Sequence, residues 1–571
     1  MGKSSVSIDQ LLAQAVALHN SGNIVEAEAL YDKVLKVDAS NGDALNLKAI
    51  IAHQRGRNEE ALKLLARAAV AYPSFADVPF NKGTVLGALG RSDEAIAAYS
   101  QAIRLRPDYA GARLNLGQTL HASGRTREAI DAFREMTRVC PTDARGFYNL
   151  GVCLEKAFPK EAVLQKRDAI AQEGLAAFAR ALTLDPHNAE AYAALSTLQF
   201  HLGHYGEAMT QLRTAIALKP TWASAWQNLG GQLEAIGDRR GALAAYDHAL
   251  SLDPSHASAV INRGMTQLAL GQFSDGWEGY LRRFESSDFP FTARQWPWPA
   301  WNGEDLSDKN ILIWSEHGVG DQILFAAMIP EIAARARECV IECEQRLVPL
   351  YQRSFPGLEV IPSTPKAVAA LSARTFDYQR SLMDLGRWLR PSLGAFPNRR
   401  RVLRADPHRC AALRARYQAG QRSKKLVGIS WRSINPTVGH QKSLALADFA
   451  PLLDTQELTF VNLQYGDVSK EIAALPDVTI CQDPEIDSLK DLDQFAAQIS
   501  ALDAVVSVSN TGAHMAAALG VPTCLYVPDG SKRLWYWLDE GSFTPWYRTA
   551  RLWRRPGSET IAAIARVVTC L

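Results

Sequence analysis

A 34-residue period governs the first half of the chain and then stops. Pro73, Pro107 and Pro141 stand 34 apart, and Pro186, Pro220 and Pro254 resume the spacing after an insertion of 11 residues. Ala27, Ala61, Ala95, Ala129, Ala208 and Ala242 keep the same beat twelve residues ahead of each proline position, with Gly174 in that slot of the lengthened unit. A repeat of this length holds two antiparallel helices and a turn, and such a pair cannot bury its apolar faces alone. Neighbours must therefore stack. Eight units begin near Ile8, Gly42, Ala76, Ala110, Ala144, Ala189, Ala223 and Ala257. In the unit at Ala110, Leu116, Gly117 and Leu120 share one face of the first helix while Ala129 and Phe133 face them from the second. The small residues permit close helix approach, the large ones fill the gaps, and proline ends each pair because it cannot continue a helix.

This pattern resembles the tetratricopeptide repeat family over residues 1–284 and implies an all-α superhelical solenoid with a long groove. Asn81, Asn115, Asn149, Asn228 and Asn262 take the sixth place of their units, where Leu47 and Ala194 stand in two others. On the first helix they would line the inner surface and could hydrogen-bond an extended acceptor peptide without reading its sequence. The competing reading is that each asparagine bonds the neighbouring repeat. The insertion lies in FPKEAVLQKRDAIAQEG and is expected as a loop or a lengthened helix.

Composition excludes several classes. Lys plus Arg number 62 against 60 Asp plus Glu, so no global charge steers the chain to nucleic acid or membrane. Eight cysteines are scattered without a CxxC pair or metal spacing and read as reduced thiols. The start, MGKSSVSIDQ, lacks the apolar core of a signal peptide, and no apolar run suffices for a membrane span. A cytoplasmic protein is expected.

Residues 285–308 form a joint in which Trp296, Trp298 and Trp301 alternate with prolines. Three indoles are costly to leave in water, so they are expected to wedge the solenoid against the second half, with a carbohydrate platform as the rival. Beyond residue 309, short β-rich runs (NILIW, CVIEC, EVIPS) alternate with helical ones, and the pattern restarts at KLVGISW. The alternation predicts two doubly wound α/β domains, 309–422 and 423–571, whose ligands belong at the carboxyl ends of the strands.

Three loops fall at such ends. NILIW runs into a turn with Gly318 and Gly320, and Asp321 opens a helix. GISW carries Trp431 into Arg432 and Ser433, followed by a loop, NPTVGHQKSL, that ends at Lys442 and Ser443. AVVSV leads to Ser509, Asn510, Thr511, Gly512 and His514 at another helix start. A helix N-terminus with a nearby cation is a ready phosphate site.

The segments GVGDQILF and SVSNTGAHMAAALGVPTCLYV resemble the heptosyltransferase-type glycosyltransferases, family 9 and its relatives, of the GT-B fold. The resemblance implies two Rossmann-like domains, an acceptor domain and a nucleotide-sugar domain. It implies Asp321 as the base that deprotonates the acceptor hydroxyl and Lys442 as the phosphate-binding lysine. Trp431, Arg432, Ser433, Ser443, Gln464, Asn510, Thr511, Gly512 and His514 fall on the donor side. Ser509 stands where the family carries aspartate, which implies a sugar other than heptose. The ending WYWLDEGSFTPWYRTARLWRR resembles repeat-fused transferases, among them flagellin glycosyltransferases that add a nonulosonic acid such as pseudaminic acid. The architecture also parallels O-GlcNAc transferases without their catalytic signatures.

The expected activity is thus metal-independent transfer of a sugar from a nucleotide donor, CMP-activated if it is a nonulosonic acid, to Ser or Thr of a protein, flagellin first, gripped by the repeats. No metal or cofactor is expected: Asp491 and Asp493 precede a helix and read as caps rather than ligands. Arg399 to Lys425, with ten basic residues and one acid, reads as a solvated interdomain helix, or else as an attractor for an anionic donor. The rivals are transfer to an envelope glycan and a non-catalytic adaptor with a decayed transferase domain.

Overall fold

The computed structural model describes residues 7–160, 164–286, 289, 293–419, 424–433, 439–475, 478–528, 534–554 and 557–570. Parts of the N-terminal decapeptide, the insertion, the joint, the basic stretch, the NPTVGHQKSL loop and the WYW-to-RR ending lie outside those residues. The chain forms two compact units, Met1–Thr221 and Trp222–Leu571.

The first unit consists of helix pairs, the first helices opening at Ile8, Gly42, Asp77, Ala110, Ala144 and Ala189. The alanines at the recurring slot, from Ala27 to Ala208, are fully buried. At Gly117 an added Cβ would lie 2.5 Å from Phe133 Cζ, so the close approach there depends on glycine. Five of the six pairs turn through a left-handed glycine, Gly22, Gly56, Gly90 and Gly124 at 34-residue intervals and Gly203 beyond the insertion, with φ of 73–83°, a conformation that other residues adopt at a cost. The insertion resolves as a lengthened helix: Leu164–Leu184 has 21 residues where its counterpart Thr126–Val139 has 14.

Three asparagines of the series have partners within the repeats. Asn81 donates to Asn46 Oδ1 (2.9 Å) and Asn115 to the Tyr99 hydroxyl (3.5 Å), both in the preceding unit, while Asn149 donates to the Arg145 carbonyl of its own helix (2.8 Å). The partners lie on the preceding first helix for Asn81, on the preceding second helix for Asn115 and on its own helix for Asn149. Asn228 and Asn262, in the second unit, are exposed and half-buried.

The second unit starts inside the repeats rather than at residue 284. Its helix pairs, Ala223–Ala235 with Arg239–Leu252 and Ala257–Ala269 with Phe273–Leu281, continue the period and join the α/β half. A four-stranded parallel sheet follows, β1 (Asn310–Trp314), β2 (Glu338–Cys343), β3 (Glu359–Pro362) and β4 (Tyr378–Ser381), in the order β3-β2-β1-β4. The larger sheet contains β5 (Lys425–Ser430), β6 (Leu458–Asn462), β7 (Ile480–Cys481), β8 (Ala504–Val508), β9 (Thr523–Tyr526), β10 (Phe543–Thr544) and β11 (Tyr547–Trp553). Its order is β10-β11-β9-β8-β5-β6-β7, parallel except for the β10–β11 pair.

One continuous core runs through Trp277 and Tyr280 of the last repeat, Ile311 and Ile313 of β1, and Phe495 and Met515 from the helices of the larger sheet. Trp277 is wholly buried, its indole donates to the Arg390 carbonyl (2.9 Å), and Gly386 has no room for a Cβ beneath it. Arg283, fully buried just after the last repeat helix, binds Asp384 (2.6 Å) and Glu316. Such a triad is strongly destabilising to break because it strands buried charge. Trp301 belongs to this core, whereas Trp296 and Trp298 stack on each other (5.4 Å) and pack with Phe376 against the smaller sheet rather than against the repeats.

Candidate functional site

The carboxyl ends of β1, β5 and β8 converge. β1 is flanked by β2 and β4, and β8 by β5 and β9, so both strands run into their loops from sheet centres. Gly318 precedes the helix Val319–Phe325, and Asn510 caps the helix Thr511–Ala518 by accepting from Ala513 N (3.1 Å). A Cβ on Gly320 would lie 3.3 Å from His514 Cδ2 and 3.6 Å from Thr511 Oγ1, so the two helix starts face each other at close range.

Between them lies a cavity of 460 Å³. Gly318, Gly320 and Asp321 line it from the smaller sheet, and Ser433, Lys442, Ser509, Asn510, Thr511, Gly512 and His514 line it from the larger. Asp321 stands in the first turn of its helix, whose N-cap is Gly318. Its carboxyl is pushed above the usual carboxylate range by burial, an effect that His317, the Tyr536 hydroxyl and Lys442 partly oppose. Lys442 is held below the usual lysine range by burial, with Asp321 opposing. Among the described residues it pairs with no carboxylate within 4 Å. His514 is pushed down to about 3 by burial, donates or accepts at the Tyr547 hydroxyl (3.0 Å) and stacks on Trp537 (4.9 Å). It is neutral at physiological pH and forms part of the wall.

Four residues assigned to the donor side do not line this cavity. Trp431 is wholly buried and its indole donates to Glu471. Arg432 pairs with Glu471 (3.1 Å), because that carboxylate sits directly across from its loop. Ser443 accepts from Ser433 N (2.9 Å) and donates to the Gly439 carbonyl (2.7 Å). Gln464 accepts from Ser430 Oγ, Trp431 N and Arg432 N at 3.1, 3.0 and 2.9 Å. These contacts fix the loop after β5, while Gln464 Nε2 and Arg432 Nε are buried without a hydrogen-bond partner among the described residues. Asn510 does both, lining the cavity while donating to Ser430 Oγ (2.8 Å).

Asp491 caps the helix Leu492–Ser500, and Asp493 is held by Arg353 at 2.5 and 2.8 Å, so the pair is structural. The basic stretch contains the helix Pro407–Tyr417, whose Arg414 binds Asp503 (2.7 Å) and whose Arg416 binds Glu485 (2.6 Å). Arg346 and Tyr536 are among the lining residues that the sequence pattern did not mark. Arg346 follows β2 by three residues and donates to the Leu489 carbonyl across the cavity, so the strand-end rule applied to β2 would have marked it. Tyr536 comes from the aromatic ending, which carries no strand-end signal.

The sequence matches the tetratricopeptide repeat family over residues 12–74 and 80–144, and again over 171–233 and 223–256. The helix pairs are tetratricopeptide repeats. Protein FlbA of Caulobacter vibrioides is 30% identical over 401 residues, 66% of this chain and 66% of that protein. The chain thus covers just under two thirds of that relative, and because the tetratricopeptide repeats end at residue 281, the similarity extends into the α/β half. Among solved structures, YrrB, a TPR protein with an unusual peptide-binding site, is 23% identical and covers 34% of this chain and 95% of its own (TM-score 0.29). TTC0263, a thermophilic TPR protein of Thermus thermophilus, is 21% identical, with 34% and 99% covered (TM-score 0.30). Among the described residues no helix is long and apolar enough to cross a membrane.

Proposed function

We propose that this protein is a GT-B-type protein O-glycosyltransferase, acting in the cytoplasm, that moves a sugar from a nucleotide donor to Ser or Thr of a protein held by its tetratricopeptide repeats, with flagellin as the acceptor and a CMP-activated nonulosonic acid as the donor. The observation that carries the reading is the single cavity lined by Asp321, Lys442 and the start of the helix Thr511–Ala518. Three strand ends from two parallel sheets contribute to it, which is where α/β folds bind ligands.

In this reading the acceptor hydroxyl loses its proton to Asp321 as its oxygen forms a bond to the anomeric carbon. The bond from that carbon to the donor phosphate oxygen breaks. The charge left on phosphate is met by Lys442 and by the free N–H groups of Thr511 and Gly512 at the positive end of their helix. Asp321 must be ionised to act, so the rate climbs with pH through a carboxyl titration displaced upward from the ordinary value of 3.8.

The test combines binding and transfer. Calorimetry with CMP, UDP, GDP and ADP is expected to find one that binds, with Lys442→Ala weakening it by about tenfold or more. In cells co-expressing flagellin and a nonulosonate pathway, intact-mass analysis is expected to show glycosylated flagellin, reduced on the order of 10²- to 10⁴-fold in rate by Asp321→Asn. Binding of none of the four nucleotides would favour the adaptor reading, and full transfer by Asp321→Asn would remove it as the base.

A further inference from the structure

We propose that Arg346 selects an acidic donor sugar, its guanidinium pairing with a carboxylate carried by the sugar while Lys442 meets the donor phosphate. The assignment rests on the transferase reading and adds to it the residue that recognises this class of sugar.

Arg346 lines the cavity from the smaller sheet, at the centre of a three-residue turn, Gln345–Leu347, that follows β2. Its guanidinium is fixed on two sides. Glu344 accepts from Arg346 N through Oε2 and from Arg346 Nε through Oε1, both at 2.8 Å. Nη1 donates to the Leu489 carbonyl on the opposite wall. Nη2 has no hydrogen-bond partner among the described residues, and 35% of the side chain is exposed. Donors on both terminal nitrogens therefore remain for a ligand. The turn is also tied to the helix that carries Asp321. The buried Gln322 donates through Nε2 to the His317 carbonyl (2.8 Å) and accepts from Glu344 N (2.9 Å). Arg346 and Asp321 thus belong to one hydrogen-bonded frame, and a guanidinium oriented in advance suits a site that must hold one geometry.

Among the described lining residues the cations are Lys442 and Arg346, and the carboxylate is Asp321. Lys442 reaches the cavity from the loop after β5, on the side of the helix start at Thr511, and together these satisfy a phosphate. Arg346 stands on the other sheet and is surplus to that phosphate, so it addresses a second anion of the same ligand. Glu344 offsets part of its charge but does not line the cavity, and its oxygens are used in orienting Arg346. In a transfer the group that faces Asp321 is the sugar. Because Arg346 is tied to the helix of Asp321 and not to the loops that meet the phosphate, the second anion belongs on the sugar, and a carboxylate matches the planar guanidinium. A neutral sugar would forgo that charge-assisted contact, which is what makes the residue selective.

Titration calorimetry of the full chain with CMP-N-acetylneuraminic acid and with its carboxylate methyl ester isolates that one group, with CMP as the reference ligand in each variant. The wild type is expected to bind the acid about tenfold more tightly than the ester, and Arg346→Gln to abolish the preference. Arg346→Lys, which keeps the charge and loses the planar fork, is expected to retain only part of it. A wild type without the preference, or a preference that Arg346→Gln leaves unchanged, overturns the assignment. Where Arg346→Gln loses CMP as well, the ratio is read in Arg346→Lys, and an unchanged ratio there overturns it equally. CDP tests the other source of a second anion: tighter binding of CDP than of CMP, lost in Arg346→Gln, gives Arg346 to a diphosphate and overturns the sugar carboxylate. Failure of CMP, UDP, GDP and ADP all to bind strikes the transferase reading and this assignment with it, whereas CMP binding with an acid-to-ester ratio independent of Arg346 strikes the assignment alone.

Discussion

At the scale of single residues, the site separates groups that face the cavity from groups that hold its walls, and side-chain type alone does not tell them apart. Asp321 and Lys442 sit within mutual influence in the cavity, while Gln464 and Arg432, equally polar and equally close to a strand end, bond to each other's loop neighbours and do not line it. His514 is the sharpest case. Its ordinary value of 6.5 falls to about 3 in the fold, so the unfolded chain takes up a proton that the folded chain refuses. Stability from this group is present above 6.5 and is lost as pH falls toward 3, at about 1 kcal/mol per pH unit. Urea unfolding at neutral pH and at about pH 5 should therefore show a drop in the wild type that is reduced in His514→Gln, whose neutral amide cannot be protonated over that range.

At the scale of elements, the repeats were largely legible because a fixed period averages out local ambiguity. The helix starts at Ile8, Gly42, Ala110, Ala144, Ala189, Ala223 and Ala257 coincide with the unit boundaries drawn from spacing alone. The turn glycines keep the same beat and would have served as a further marker. Gly117→Ala is expected to destabilise the first unit by about 2 kcal/mol in chemical denaturation, because the new methyl meets a wholly buried Phe133 ring that cannot yield. The apolar strands of both sheets were likewise visible as short β-rich runs. β4 was not: its sequence YQRS carries a single apolar ring, Tyr378, followed by three polar residues, and it pairs with β1 in parallel register from Ile311↔Tyr378 to Trp314↔Ser381. The β10–β11 hairpin was missed for a related reason, since its aromatic residues gave no period to read.

At the scale of the molecule, the second compact unit begins at Trp222, inside the repeats. The last helix pair shares the core of the sheets through Leu268, Trp277 and Tyr280, and Arg283, just beyond it, neutralises Glu316 and Asp384. A fragment of residues 222–571 is expected to unfold cooperatively and to retain nucleotide affinity within about twofold of the full chain, whereas 309–571 should lack a cooperative transition in calorimetry, since removing Arg283 alone costs about 3–5 kcal/mol. Sequence by itself determined the period, the alternation of strand and helix, and which three loops stand at strand ends, because these follow from local pattern along the chain. Tertiary structure alone decided which polar side chains reach the cavity, that Tyr536 lines it together with Asp321 from more than two hundred residues away, and that the last repeat pair belongs to the α/β core. Those outcomes depend on which surfaces meet when the core closes, and no local pattern encodes that.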